Sequence, residues 1–253
     1  FQKAVREYRE IEMDGLLIYP ICVHEFDEFS FARVALEFMP QTLPPDLMGL
    51  PVLSALYKLD VDAAGNGDEP SGLFASALMG LALALRLSPE REPEERIGEF
   101  QIVTDPEEIT KLKLLRFSVN GEEREIRPSL YNKLRGIIAE QNGVERIPET
   151  ANPEVVQSER DIQARQSDGL EGSNWNLVTS ICTLEGKDEK EVRQWAILKL
   201  LRHIEAHKRR MDYTICAIAE AQGSKWKGGN PAPSPWFSKK QKGSAGLLSM
   251  DSY

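Results

Sequence analysis

Apolar residues recur at positions 26, 29, 32, 36 and 39, and this spacing predicts a helix from Glu25 to Met39. Pro40, Pro44 and Pro45 break it. A short helix is expected from Pro51 to Leu59, because proline suits a first helical turn. Residues 63–70 read as a loop. Ser71 is placed to cap an apolar helix over about 72–87. Its apolar run, Leu73 to Leu85, falls short of the roughly 18 residues that cross a bilayer. It therefore predicts a buried core helix and no membrane partner. Gly80 in its middle predicts close approach of another helix. Ser88 to Glu95, charged and proline-bearing, reads as a linker.

Strand signals are shorter. Arg9 to Tyr19 predicts a hairpin turning on Asp14-Gly15, since Asp-Gly supplies the positive φ of a two-residue turn. Pro20 ends the second strand. Phe100 to Val103 predicts another strand, and Leu114 to Ile126 a second hairpin turning on Asn120-Gly121. Pro128 then opens a helix to about Gln141, stopped by Asn142-Gly143. The order hairpin, proline, helix thus occurs twice, as a chance echo or as a duplicated unit.

The remainder is helical. Asn152-Pro153 starts a polar helix to about Gln166, and Ser167 to Ser173 is a linker. One helix covers about Asn174–Leu184, followed by a loop with Gly186. Asp188 with Glu191 forms a capping-box pattern at the head of a long helix. Val192, Trp195, Leu198, Leu201 and Ile204 make its apolar stripe, and Gly223 stops it after about Ala221. Ser224 onward has no periodicity but holds Trp226, Trp236 and Phe237 among Gly228, Gly229, Asn230, Pro231, Pro233 and Pro235. Disordered tails are poor in aromatics. These residues are therefore expected to be buried on their own domain or against a protein partner. The three prolines favour an extended course.

Composition narrows the class. A 41% hydrophobic, 28% charged chain of 253 residues can bury a sizeable core. Its net charge of −9 argues against broad phosphate-backbone binding. Residues 224–243 alone carry five lysines and no acid, which leaves −14 on the rest. That basic aromatic segment could stack single-stranded nucleic acid. The acidic body favours a clamp on the chain's own helices or a protein partner instead. Cys22, Cys182 and Cys216 are odd in number and widely spaced, as expected of buried thiols in a reducing compartment. No signal-peptide pattern is legible at the Phe1 end.

Candidate chemistry is sparse. His203 and His207 lie four apart, so both can face one side of a helix. Glu205 between them is misplaced for a zincin general base, and no local spacing supplies a third ligand. Cys22 and His24 flank one residue, with no oxyanion group or third member in the pattern. The acidic stretches 68–69, 90–95 and 107–108 read as solvated loops and helix starts. No phosphate-cradling glycine loop is present, because Gly228-Gly229 lacks a strand before it and a helix after it. No cofactor is expected.

Several of these segments together resemble a known family. The helix over 189–222 with Gly223, the Lys225-Trp226-Lys227 step and the run Gly228 to Trp236 are similar to the C-terminal region of tail-associated proteins of tailed bacteriophages of Gram-positive hosts. The Gly15–Pro20 hairpin, the Phe26–Met39 helix, Leu53 to Tyr57 and Arg135 to Gly143 are similar as well. The hairpin-then-helix opening resembles that of tail assembly chaperones, although the chain is long for one. The resemblance implies a non-catalytic, helical protein that binds a tail tube, tape-measure or baseplate component during assembly. It implies residence in the host cytoplasm or, for a structural component, in the virion tail. The alternative of another class is a metal-dependent enzyme using His203 and His207. The expected fold is α+β, mainly helical with small antiparallel hairpins and an extended C-terminal tail. The expected regions are 1–145, a linker with a polar helix over 146–173, and a helical 174–253.

Overall fold

Leu73 to Leu85 is apolar almost throughout, and such a helix is stable only when covered on every side. In the computed structural model every residue from Ser76 to Leu85 is buried. Residues 1–119, 121–145, 152–156, 158–159 and 174–225 are described. The chain divides into two units, Phe1–Leu200 and Leu201–Tyr253. The first holds α1 (Gln2–Arg6), β1 (Ile11–Met13), β2 (Leu16–Ile18), a 3-10 turn at Val23–Glu25, α2 (Phe26–Glu37), α3 (Val52–Asn66), α4 (Leu73–Leu85) and α5 (Pro93–Gly98). Then follow β3 (Gln101–Thr104), β4 (Leu112–Val119), β5 (Glu122–Ile126), α6 (Pro128–Gln141), α7 (Asn174–Glu185) and α8 (Glu189–Arg193). Helix α9 (Ile197–Ala221) begins in the first unit and continues through the second. The fold is α+β and mainly helical, with small antiparallel sheets.

Helix α4 packs chiefly on α2, with α3, α5, α6 and β2 around it. A Cβ built on Gly80 would lie 3.7 Å from that of Ala32, so the two helices approach closely there. Ser76, the polar residue of that buried stretch, is satisfied by α2. Its hydroxyl donates to the Phe31 carbonyl at 2.6 Å and accepts the Ala35 N–H at 3.1 Å.

Both hairpins turn where expected. β1 pairs with β2 with Met13 opposite Leu16, and Asp14 and Gly15 have φ of 50° and 75°. β4 pairs with β5, and Gly121 has φ 81°. β3 adds to β4 as a third strand. Leu112, Leu115 and Phe117 turn inward, with the Phe117 ring 5.4 Å from that of Phe100.

Three expected boundaries are corrected. Helix α3 does not stop at Leu59 but runs to Asn66, ending on Gly67 with φ 80°. Its extra turns carry Asp60, whose carboxylate accepts the Ser71 N–H at 2.9 Å and the Phe74 N–H at 3.3 Å. The start of α4 is thus capped mainly from another helix, with the Ser71 hydroxyl accepting the Leu73 N–H at 3.3 Å. The expected linker over 88–95 already enters α5 at Pro93. The long helix expected from Asp188 is broken. Asp188 does cap a helix, accepting the Lys190 N–H at 2.7 Å, but α8 ends at Arg193. At the break the Val23 N–H donates to the Trp195 carbonyl and the Ile197 N–H to the Ile21 carbonyl, each at 2.9 Å. Pairing with the N-terminal segment, an antiparallel bridge between Cys22 and Ala196, replaces helical bonds there.

Polar residues of α6 fasten this N-terminal region. Arg135, buried, donates to the Leu36 carbonyl at 2.9 Å and to the Phe38 carbonyl, closing the end of α2. Gln141 donates to the Arg9 and Ile18 carbonyls, and Asn142 accepts the Ile21 N–H at 2.9 Å. Tyr131 is fully enclosed, and burial pushes its phenol up to about 12. Asn152 opens the next helical turn by accepting the Glu154 N–H. The rest of the expected helix to Gln166 and the linker 167–173 lie outside the described residues, apart from 158–159, which are helical.

Among the described residues one ion pair is buried. Arg96 donates to Glu25 at 2.9 Å and, through Nε, to the Leu87 carbonyl at 3.1 Å. Arg96 is 3% exposed and Glu25 9%. Removing one member of such a pair strands the other charge. Arg96→Met is therefore expected to cost about 3–5 kcal/mol in urea unfolding. Glu25→Leu combined with Arg96→Met should recover most of that loss. Gly15→Val and Gly121→Val should each cost roughly 1–3 kcal/mol in the same assay, because valine does not tolerate the positive φ. A cost near zero at either glycine would contradict its turn.

Candidate interaction surface

From Ile197 to Ala221 the sequence has no glycine or proline and is rich in Ala, Leu, Lys, Arg and Glu, the strong helix formers. The Glu205–Arg209 pair, at 3.4 Å, adds one i,i+4 contact. The helix closes in a Schellman motif. Gly223, at φ 90°, donates to the Glu220 carbonyl, and the Ser224 N–H donates to Ala219, both at 2.9 Å.

Two faces of α9 differ sharply. Ala206, Arg209 and Tyr213 are half-buried and Cys216 is buried. Roughly opposite them, Met211, Ile215 and Ile218 are 57%, 58% and 53% exposed. Single exposed apolar residues are ordinary, but a contiguous stripe marks an interaction site. This stripe continues a regular series. Leu201, Ile204, Lys208, Met211, Ile215 and Ile218 step by three and four, the a and d positions of three heptads. Leu201 and Ile204 were singled out by their apolar spacing. The four beyond them were not, because Lys208 interrupts the apolar run. Testing the stretch against a seven-residue repeat would have found them.

The expected partner-binding residues follow directly after Lys225. Trp226, Gly228, Gly229, Asn230, Pro231, Pro233, Trp236 and Phe237 lie outside the described residues, as does their expected burial. His203 and His207 stand on α9 as their spacing predicted, both half-buried, and neither lacks a partner. Among the described residues no three His, Cys, Asp or Glu side chains group closely enough to hold a metal ion. No described helix is long and apolar enough to cross a membrane.

The cysteines are all free, but only Cys216 is fully buried, so the expectation of three buried thiols holds for one. Cys22 and Cys182 are half-buried. His24 Nδ1 lies 3.2 Å from the Arg193 carbonyl, which can only accept from it. The thiol of Cys22 is pushed up by burial and, secondarily, by the Glu25 carboxylate. Both causes disfavour the thiolate, the nucleophilic form. The acidic stretches 68–69 and 107–108 are exposed, as expected.

Comparison with protein-family models, with curated proteins and with solved structures finds no match to this chain.

The raised thiol of Cys22 makes a direct prediction. Carboxymethylation at pH 8, read by peptide mass spectrometry, should be slower at Cys22 than at a free cysteine. It should accelerate only at a higher pH than a free cysteine does. Rapid modification at pH 7 would return Cys22 and His24 to consideration as a nucleophile pair.

Proposed function

We propose that this chain serves bacteriophage tail or baseplate assembly as a non-catalytic protein-binding protein, in the manner of a tail assembly chaperone. The C-terminal interaction surface carries the reading. An exposed apolar helical stripe ends in a glycine cap, and a segment with two Trp and one Phe follows at once. Aromatic anchors of this kind dominate binding energy at protein interfaces. The resemblance of this segment, of the first hairpin and of residues 135–143 to phage tail-associated proteins supplies the biological setting. Prolines at 231, 233 and 235 suit an extended segment whose side chains enter pockets on a partner. The partner is a tail tube, tape-measure or baseplate protein, met in the host cytoplasm.

Co-expression with phage tail tube, tape-measure and baseplate proteins tests this. One of them should co-purify with the full chain. Deletion of residues 226–253 should abolish the capture and leave the helical signal of the remaining chain in place. Failure of every tail protein to be retained would refute the proposal. Recovery of the chain from purified virions would instead favour a structural component kept in the tail.

A further inference from the structure

The stripe on α9 has the geometry of a coiled-coil seam, and we infer that a second copy of this chain covers it, in a parallel two-stranded coiled coil over residues 201–221. This rests on the reading of α9 as an interaction surface and adds what occupies it. The spacing specifies a helix as the occupant. A repeat of three and four residues keeps one side of a helix against a helical neighbour, whereas a flat or extended partner imposes no such period. Three heptads, about 32 Å of helix, give the repeat enough length to act as a seam.

The flanking positions favour self-pairing in parallel. With Leu201, Lys208 and Ile215 at a, the e positions are Glu205, Asp212 and Ala219, and the g positions include His207 and Thr214. In a parallel, in-register pair, g of one helix faces e of the next heptad on the other. His207 then faces the partner's Asp212, twice by symmetry, and Thr214 faces the partner's Ala219. An antiparallel pair brings e against e and sets Glu205 beside the partner's Asp212, two acids. Lys208 is the single polar residue in the seam. A lone lysine at a sets register and oligomeric state at a cost in stability. Its four-carbon stem can lie along the seam while the ammonium reaches water. Within the seam Leu201 and Ile204 are half-buried, while Lys208, Met211, Ile215 and Ile218 are exposed and offer the face that a second helix would cover.

Sedimentation equilibrium of the full chain tests the dimer. The wild type should be dimeric at micromolar concentration. Ile215→Glu should be monomeric with unchanged helical content, since residue 215 is exposed in the single chain. Lys208→Ile should tighten the dimer by about tenfold, by replacing a charge in the seam with an apolar side chain. A monomeric wild type, or an Ile215→Glu chain that still dimerises, would overturn the proposal. Orientation is read from cysteine cross-linking. Met211→Cys should form a 211–211 disulfide, identified by mass spectrometry. Linkage only between mixed Lys208→Cys and Met211→Cys chains would overturn the parallel arrangement. Tail-protein capture separates this inference from the function. A monomer that captures a tail protein removes the dimer alone. A dimer that captures none supports the seam and removes the tail role.

Discussion

A helix without a polar face imposes its environment on a chain. Helix α4 cannot meet water along its length, so four other helices and a strand must enclose it. The enclosure in turn needs polar fasteners at its margins. Ser76 ties α4 into α2, and the Tyr19 N–H donates to the Ala84 carbonyl at 2.7 Å near the C-terminal end of α4. Arg135 and Gln141 of α6 and Asn142 at its C-cap hold the first hairpin and the end of α2 around it. Arg96 and Glu25 exist as a buried pair because α5 closes over the same core, and a charge there is tolerated only when matched. Arg135, Gln141, Asn142 and the Arg96–Glu25 pair thus sit where covering elements join.

Local chemistry explains which parts were legible in the sequence. Asp14-Gly15 and Gly121 adopt positive φ at little steric cost, so both hairpins could be read directly. Gly143 and Gly223 likewise mark helix ends through the left-handed cap. The misread boundaries share a different cause. Residues 63–66, the start of the expected loop, contain Gly65 and Asn66, yet they stay helical in α3, whose Asp60 is engaged by Ser71 and Phe74 at the start of α4. The break at 194–196 has no breaker residue at all. Gln194, Trp195 and Ala196 favour helix locally, and only their pairing with Ile21–Val23 overrides that preference. Long-range pairing leaves no local signature, so no window of sequence could show it. The candidate surface was half legible. The aromatic segment stood out by composition, while the seam on α9 was hidden by the lysine in its middle.

The two parts of the molecule are built on opposite rules. In the first unit apolar residues are spent on a single enclosed core. On α9 beyond Leu201, Met211, Ile215 and Ile218 line one face and are exposed. The sharp cap at Gly223 fixes where helix gives way to the aromatic segment. That division lets the exposed face be changed or covered without repacking the core.

The pairing of Ile21–Val23 with Trp195–Ile197 also sets a schedule. At synthesis rates of about 5–20 residues per second, Trp195 emerges roughly 9–34 s after Val23. Throughout that interval the backbone groups of Ile21 and Val23 that will bond to Trp195 and Ile197 have no partner on the nascent chain. The early hairpin, α2 and α4 can collapse long before their last seal arrives. A ribosome paused between α6 and α8 would therefore hold a chain with its core assembled and one edge open. That edge, with its unpaired backbone groups, is the last part of the first unit to close.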